Sequence, residues 1–325
     1  MPVFNEQDWI ERSIAAVRTA LEIADWQAEI VVVDDGSTDD TPKRLAELSQ
    51  QFDLTVVSQD NRGRFAARLA GIGRARGDQV LLLDSRVLVD PHSLSYLREQ
   101  LAGHPDRSVW NGHVSVESGP GPYGDFWAGL VSVAWRRYFA NPRFVSFGAE
   151  EFDRYPKGTG FFCAPRELLV QAADSFSSLF ADPRFASDDT RMLRWIAERH
   201  RIQLSPHFSA TYASRDSFPK FVRHSYFRGT TFVDSYLDAP GPTRRAAATA
   251  AVAGLLGVGL LLKRPARALL TGAAVSVVAG AVVRSSGGTA AQSRAVAGLL
   301  PLFAACFGSG VLRGLALAAG KALLR

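Results

Sequence analysis

The sequence contains few cysteines and, over its last 80 residues, no aspartate or glutamate. Only Cys163 and Cys306 occur among 325 residues, which excludes a disulfide framework and is typical of a reducing compartment. The net charge of +5 is modest, and much of the positive excess lies near apolar segments, where basic residues commonly meet lipid headgroups. We therefore expect no nucleic acid partner. Internal repeats are also absent, which disfavours a repeat scaffold.

Composition changes sharply near residue 237. Before that point charges of both signs, aromatic residues and Gly/Pro are mixed, as in a soluble enzyme; after Ala246 the chain is dominated by Ala, Val, Leu and Gly. The stretch "DAPGPTRR" lies between the two parts and reads as a linker. We predict a catalytic domain over 1–237, a linker over 238–245 and a membrane anchor over 246–325.

Three apolar segments form the predicted anchor. They lack a charged face, which favours membrane helices over helices on the surface of a soluble protein, although each is slightly shorter than the roughly 20 residues of a typical span. Basic residues flank every segment, so charge does not orient them, and either two or three transmembrane helices fit. We expect an inner (plasma) membrane location with a cytoplasmic catalytic domain. The segments are 246–262, 268–283 and 295–312.

Helical and strand patterns alternate in the first hundred residues. Apolar positions at helical spacing predict a helix over 6–24, and β-branched residues predict a strand over 30–33. Thr41 is predicted as the cap of the next helix, with Pro42 in its first turn. "LTVVSQ" reads as a strand, "GRFAARLAGIGRAR" as a helix, "DQVLLLD" as a strand, and Pro91 opens another helix. This order predicts a parallel, doubly wound sheet that binds ligands beyond the carboxyl ends of its strands.

The first motif follows Met1 at once. A sheet of this class normally opens with a strand before its first loop, whereas "PVFNE" is loop-like. We therefore expect the natural protein to begin upstream, and the sheet of this chain to lack an edge or central strand.

Several short motifs occur in a characteristic order. They are "PVFNE", "VVVDDGSTDDT", "NRG" followed by "AAR" and a downstream Gly71, "LLLDS", "GTGFFCAPREL" and "SDDTRMLRWIAERHRI". Together they resemble the inverting family-2 glycosyltransferases of GT-A fold, over roughly 2–236. The resemblance implies an α/β domain with a Rossmann-like mixed or parallel sheet and helices on both faces. It also implies transfer of a sugar from a nucleoside-diphosphate donor.

The resemblance assigns donor-binding residues to the first three motifs and to "LLLDSR". "PVFNE" would form the wall of the base pocket, and Asp35 would accept hydrogen bonds from the base or ribose, as a carboxylate at a strand end can. Standing alone, "DDGSTDDT" would be read as an acidic turn that caps a helix. The implied donor-binding residues are Pro2, Phe4, Asn5, Glu6, Asp34, Asp35, Ser37, Arg68, Asp84, Ser85 and Arg86.

One motif departs from the family pattern. Asp84 corresponds to the first carboxylate of the Asp-x-Asp metal motif, but Arg86 stands at its third position. Asp84 could hold Mg or Mn with only water and phosphate oxygens beside it, or Arg86 could contact the diphosphate itself. In a third account Arg86 pairs with Asp84 or Asp90 and the site is metal-free or degenerate. We expect one retained divalent cation, with weaker dependence on it than is usual.

The later motifs imply a base and an acceptor region. Asp189, with Asp188 beside it, would remove the proton of an attacking hydroxyl, as inversion requires. The alternative is that these carboxylates only cap a helix. Residues implied to contact the acceptor or diphosphate are Gly160, Arg223, His224 and Arg228.

Taken together, these motifs and the apolar tail predict a membrane-bound sugar transferase. The donor would be a nucleotide sugar, with UDP favoured as the carrier, and the acceptor a lipid-linked or cell-envelope glycan. Two alternatives remain open: a polyprenyl-phosphate monoglycosyltransferase, and a degenerate scaffold that binds sugar nucleotides without turnover.

Overall fold

The computed structural model describes residues 1–119, 121–237 and 262–323, without the side chains of residues 183, 188 and 189. The predicted linker and nearly all of the first apolar segment therefore lie outside the described residues. The chain divides into two compact units. The first unit comprises Met1–Ser115, Asn141–Ser177 and Asp182–Ala213, and the second comprises Val116–Ala140, Ser178–Ala181 and Ser214–Arg325. The predicted domain boundaries stay predictions.

The elements alternate through the first hundred residues and then become less regular. The strands are β1 (Pro2–Val3), β2 (Ile30–Asp34), β3 (Leu54–Ser58), β4 (Gln79–Leu83), β5 (Val87–Val89), β6 (Trp110–Val116), β7 (Val145–Phe147), β8 (Phe161–Pro165) and β9 (Ile202–Tyr212). The helices are α1 (Ile10–Ile23), α2 (Thr41–Gln51), α3 (Arg64–Arg74), α4 (Ser93–Gly103), α5 (Pro122–Ala134), α6 (Arg136–Phe139), α7 (Arg166–Asp174), α8 (Asp188–Ala197), α9 (Phe218–Tyr236), α10 (Pro265–Ser285) and α11 (Ala290–Leu323). Short 3₁₀ turns occupy Phe152–Arg154 and Pro183–Phe185.

The strands form two sheets. β1, β2 and β3 are parallel neighbours, with Ile30 opposite Leu54 and Pro2 opposite Val33. The second sheet has the order β4-β8-β6-β9-β5, with β7 on β9, and its described pairings are antiparallel. The α/β fold is confirmed, but a wholly parallel sheet is wrong for β4, because a later strand, β8, pairs with it instead of a neighbour from the βαβ run.

Two helix starts differ from the predicted ones. Helix α1 begins at Ile10 because the carbonyl of Glu6 first accepts the N–H groups of Trp9 and Ile10 in a turn. Thr41 lies inside α2, after the flanking residue Asp40, so its prediction as the cap is wrong. The Thr41 hydroxyl accepts the backbone N–H of Glu6 at 2.9 Å instead. This side chain therefore ties the first loop to the start of α2.

The hydrophobic core of the first unit lies between helices and sheets. Ile10, Ile14 and Val17 recur at helical spacing on α1, and all three are buried. A cavity of about 400 Å³ is lined by residues of both β2 and β4, including Ile30, and by Leu94 of α4. β2 pairs with β1 only at Val33 and Asp34, and among the described strands β4 pairs only with β8. Met1 also bonds to β2 at Val31 and Val33, so the open edge of β2 begins before Val31, and it faces this cavity together with the edge of β4.

The second unit is built from long helices. Phe126 on α5 packs against Phe221 on α9 and Phe303 on α11, and both Phe126 and Phe221 are fully buried. Helices α10 and α11 are long and apolar enough to cross a membrane. At 34 residues, α11 is about 51 Å long, more than the ~30 Å of a hydrocarbon core.

Glycines allow α9 and α11 to touch closely. A Cβ atom at Gly229 would lie 2.0 Å from the carbonyl oxygen of Phe307, and one at Gly310 would lie 2.1 Å from that of Tyr226. Neither position can accept a side chain without moving backbone. Small residues at helix contacts are the usual packing device in membranes, which fits the predicted anchor.

Candidate donor site

Two adjacent carboxylates end strand β2 and organise the loops around them. Asp34 accepts the backbone N–H of Ser37 at 3.1 Å. Asp35 accepts three hydrogen bonds: from the Gln59 side chain at 2.7 Å and from the N–H groups of Arg62 and Gly63 at 2.9 and 2.8 Å. Both carboxylates are buried. Asp35 thus fixes the loop that follows β3 against the end of β2, a structural role beside its predicted contact with the donor.

The first loop docks on the same edge. Asn5 has a left-handed backbone, at φ 54°, and its N–H donates to Ser37 Oγ at 3.0 Å, while the Asn5 side-chain oxygen accepts the N–H of Thr38 at 2.7 Å. Phe4 remains exposed between these fixed residues. The predicted wall residues and Ser37 therefore lie together at the carboxyl end of β2.

Asp84 follows β4 directly. Its Oδ1 accepts a hydrogen bond from the Arg68 guanidinium at 3.0 Å, and its backbone N–H donates to the carbonyl of Gly160 at 2.9 Å. A Cβ atom at Gly160 would lie 3.0 Å from Asp84 Oδ2, which is tighter than an ordinary contact. The structure thus brings together Asp84, Arg68 and Gly160, one residue from each of three separate motifs.

Arg86 does not pair with either carboxylate that the sequence suggested. Its Nε donates to both oxygens of Glu6, at 3.0 and 2.7 Å, and the two side chains are 5% and 6% exposed. Asp84 pairs with Arg68, and Asp90 accepts the hydroxyl of Ser209 at 2.5 Å. The alternative in which Arg86 pairs with Asp84 or Asp90 is therefore wrong.

Ser85, between the two charged motif residues, is buried. Its carbonyl accepts the hydroxyl of Ser13 on α1 at 2.6 Å. This contact holds the motif turn against the first helix, and no described contact gives the Ser85 hydroxyl a separate role.

The residues around Asp84 can accept a divalent cation only as a shared site. Within residues 1–119, 121–237 and 262–323, no cluster of three His, Cys, Asp or Glu side chains could hold a metal by itself. Asp84 Oδ2 accepts no hydrogen bond from the part of the chain that is described, and the side chain is 27% exposed. Mg²⁺ and Mn²⁺ are commonly bound through one carboxylate, water and substrate phosphates. The single free carboxylate oxygen therefore fits a cation that takes most of its other ligands from water and from the phosphates of a bound nucleotide sugar.

The loop before Gly160 is held by residues that sequence reasoning missed. Lys157 donates to the carbonyls of Phe152 and Tyr155 and lies 3.5 Å from Asp153. Burial lowers the pKa of the Lys157 ammonium to about 8, with Asp153 opposing the shift. Asn111 accepts the N–H of Gly158 at 3.1 Å. A lone lysine and a lone asparagine carry no spacing signal, so only the fold could reveal them.

The predicted base lies at the start of α8. Residues 188 and 189 occupy the first turn of this helix, but their side chains lie outside what the structure describes. The remaining predicted residues belong to the second unit, on α9: Arg223 and Arg228 are exposed, and the His224 ring lies 5.0 Å from that of Trp127. Their roles stay predictions.

Comparison with solved structures bears on the fold. The mannosyltransferase PcManGT from Pyrobaculum calidifontis, in complex with GDP-Man and Mn²⁺, matches with a TM-score of 0.50 and 20% identity, over 97% of this chain and 85% of that one. S. aureus TarS 1-349 in complex with UDP-GlcNAc matches at 0.49 and 13% identity, over 92% and 90%. The first of these likenesses supports a shared fold.

Curated relatives and a family profile each match part of the chain. An undecaprenyl-phosphate 4-deoxy-4-formamido-L-arabinose transferase of Salmonella choleraesuis (strain SC-B67) is 32% identical over 100 residues, 30% of this chain and 31% of the relative. The Pseudomonas fluorescens (strain SBW25) protein of the same name is 32% identical over 105 residues, 31% of each. The match thus spans about a third of these relatives. The family profile described as Glycosyl transferase family 2 matches residues 1–168, just over half of the chain. By this match the chain belongs to glycosyl transferase family 2, and it has the GT-A fold that its motifs predict.

Proposed function

We propose that the protein is an inverting glycosyltransferase that moves a sugar from a nucleoside-diphosphate donor, with UDP favoured as carrier, to a lipid-linked or cell-envelope glycan acceptor at a membrane. The observation that carries the proposal is the meeting of the first loop, the Asp34–Asp35 turn and the Arg68–Asp84 pair beyond β2 and β4. Ligands bind at this edge in open α/β sheets. Family membership and the two long apolar helices support it.

The donor would be held by its base and by its diphosphate. Phe4 and Asn5 line the end of β2 where the base and ribose would lie, and the Asp35 turn fixes their surroundings. Arg68 supplies a buried positive charge beside Asp84, and a guanidinium matches phosphate geometry. A divalent cation on Asp84 Oδ2 would supply charge neutralisation for the departing diphosphate.

The acceptor would be activated from α8. For a hydroxyl acceptor, Asp189 is the proposed base, and Asp188 its neighbour, because inversion requires proton removal on the face opposite the leaving group. Gly160, next to Asp84, would border the reacting sugar, and Arg223, His224 and Arg228 would contact the acceptor or diphosphate. These residues are predicted by resemblance to the family motifs.

A second function is favoured by the names of the relatives. The curated Salmonella and Pseudomonas proteins are undecaprenyl-phosphate sugar transferases. If this chain also used a polyprenyl phosphate, the attacking group would already be an anion, and no base would be required. We propose in either case an inner-membrane enzyme with its catalytic domain in the cytoplasm, consistent with its two unbridged cysteines.

Radiolabelled transfer would separate these functions. Full-length protein in detergent would be given UDP-, GDP- and dTDP-sugars, with polyprenyl phosphate or a lipid-linked glycan and with Mn²⁺, Mg²⁺ or chelator. Asp189→Asn should abolish transfer to a hydroxyl acceptor but leave transfer to polyprenyl phosphate within a few-fold. Asp174→Asn, an exposed carboxylate on α7, is the matched control. Nucleotide binding with no transfer to any acceptor would instead favour the degenerate scaffold.

A further inference from the structure

The third position of the metal motif is joined to the first motif of the chain. Arg86 and Glu6 are 80 residues apart in sequence, and the Arg86 Nε donates to both Glu6 carboxylate oxygens. The Arg86 guanidinium also lies 5.2 Å from the centre of the Trp9 ring. Because both side chains are almost fully buried, neither charge can be left without the other at low cost.

The backbone around this pair is fixed from several sides. The Glu6 N–H donates to the Thr41 hydroxyl at 2.9 Å, and the Arg86 carbonyl accepts the N–H of Ala213 at 2.8 Å. The pair therefore joins the first loop, the start of α2, the Asp84–Arg86 turn and the end of β9. A change in the pair would move the first loop, which holds the predicted wall of the base pocket.

A carboxylate at position 86 would not suit this environment. It would face Glu6 in a buried site, where two like charges cannot both ionise without a large cost. The Arg86 side chain is 5% exposed, its Nε is engaged by Glu6, and its Nη1 is buried without a hydrogen-bond partner among the described residues. The position is therefore suited neither to ligate a metal nor to meet a phosphate directly.

We infer that Arg86 is a positioning residue, which fixes Glu6 and through it the nucleotide-binding loop, and that it is neither a metal ligand nor a diphosphate contact. The inference rests on the proposed function, since it concerns the same donor site. It also explains the departure from the two-carboxylate motif. An arginine at position 86 holds the first loop through Glu6, and Asp84 remains the only carboxylate of the motif.

A double-mutant cycle on the full chain in detergent tests this inference. Arg86→Met should weaken UDP or GDP binding, measured by calorimetry, by about tenfold or more and lower the melting temperature, because it removes the guanidinium that neutralises the buried Glu6 carboxylate. Glu6→Gln with Arg86→Met should recover nucleotide affinity to within about threefold of wild type, because both members of the buried charge pair are then removed. Arg44→Met, which removes an exposed arginine from the same unit, should change neither quantity.

Two outcomes would overturn the inference. If the double variant keeps the full loss of the Arg86 single variant, Arg86 contacts the donor directly. If neither single variant changes nucleotide affinity, the pair does not position the loop. Should Arg86→Met fail to fold, Arg86→Lys keeps the charge without the fork, and adding Glu6→Gln should lower the affinity further, because the buried ammonium then loses its carboxylate. An affinity that Glu6→Gln leaves unchanged in this background would overturn the inference.

A metal titration addresses the other half of the inference. In the Glu6→Gln background, Arg86→Asp restores a second motif carboxylate without a buried carboxylate opposite it. The Mn²⁺ affinity of the UDP complex should stay within about threefold of that of Glu6→Gln alone, whereas a tenfold gain would show that position 86 reaches the cation. If the wild-type protein binds no nucleotide at all, the proposed function fails, while coupling between Glu6 and Arg86 is still read from the melting temperatures.

Discussion

Two arginine–carboxylate pairs lie close together in the first unit, yet their surroundings differ. The Arg68–Asp84 pair keeps a partly exposed carboxylate, with one oxygen unused by the described chain. In the Arg86–Glu6 pair both side chains are buried, and both carboxylate oxygens accept hydrogen bonds from the same guanidinium nitrogen; we call this pair closed and the first pair open. Two pairs of the same chemical type thus have different roles. The carboxylate of the open pair can bind a ligand, whereas the closed pair stabilises the loop around it.

The largest effect is expected when the open pair loses its carboxylate. Asp84→Asn keeps the shape and an oxygen for Arg68 but removes the charge that would hold a cation. Transfer should fall by about 100-fold or more, on the scale of losing one electrostatic group of an active site. The melting temperature should fall by less than in Glu6→Gln, because the Asp84 side chain is partly solvated and the asparagine still offers the buried Arg68 an acceptor oxygen. Steady-state transfer and thermal melting, measured on the same samples, check both expectations.

The comparison gives this experiment its control. Glu6→Gln should show the reverse pattern, with a larger loss of stability than of turnover at saturating donor. Asp106→Asn, an exposed carboxylate before β6, should show neither effect. Equal stability losses in Asp84→Asn and Glu6→Gln would contradict the distinction between the open and the closed pair.

A third pair of the same unit predicts a pH dependence. Burial lowers the pKa of Lys157 from 10.5 to about 8, so above pH 8 the unfolded state binds more protons than the folded state. The contribution of Lys157 to stability should therefore rise between pH 8 and about 10.5, by on the order of 3 kcal/mol if the whole shift is expressed. Denaturant unfolding at pH 7.5, 9 and 10 measures this rise.

The Lys157→Met variant should abolish the rise, since it carries no titrating group at that position. Lys43→Met removes an exposed lysine from α2 and should keep the wild-type slope. If the Lys157→Met variant keeps the wild-type dependence of unfolding free energy on pH, another group must be the one that titrates.

The donor site could be predicted in part, because some of its contacts are local. β2 running into Asp34, and β4 running into Asp84, followed from runs of apolar residues that end in carboxylates. The meeting of these two strand ends follows from the rule for α/β sheets. The pairing of Arg86 with Glu6 could not be predicted, because Asp84 and Asp90 are nearer in sequence and only the packing of α1 selects the distant partner.

The antiparallel strand pairings of the second sheet could not be predicted from the sequence pattern either. β4 pairs with β8, about 80 residues later, after six intervening helices and strands. Periodicity reports whether a segment is buried, but it does not identify the partner strand or its direction. The sequence identifies Gly160 as part of a motif, but its contact with Asp84 depends on the pairing of β4 with β8.

Gly160 tests how much space the open pair requires. A Cβ atom there would meet Asp84 Oδ2 at 3.0 Å, so Gly160→Ala should displace the carboxylate by a few tenths of an ångström. We expect transfer to fall by about tenfold, because small misplacements of reacting groups cost rate more than stability. Gly158→Ala, in the same loop with no atom within 4 Å of its added methyl group, is the control. Equal activity of the two variants would show that the Asp84 carboxylate tolerates displacement.

The smallest expected effect concerns a buried amine beside the open pair. The amino group of Met1 donates to the carbonyl of Val31, and its pKa is lowered to about 5, first by burial and then by Arg68, with Asp84 opposing. A variant with an apolar, β-branched extension of about five residues before Met1 replaces this amine by an amide. The extension should enter the cavity lined by β2 and β4 and pair with their open edges. We expect a gain of about 1–2 kcal/mol in unfolding free energy, similar to filling other apolar cavities.

An extension of equal length made of glycine and serine removes the same amine without apolar burial. If only the apolar extension stabilises the protein, the cavity favours a strand. If both stabilise it equally, the gain comes from replacing the buried amine beside Arg68 and Asp84 by an amide. Amide hydrogen exchange distinguishes the two, because strand pairing should slow exchange at the edges of β2 and β4, whereas replacement of the amine alone should not.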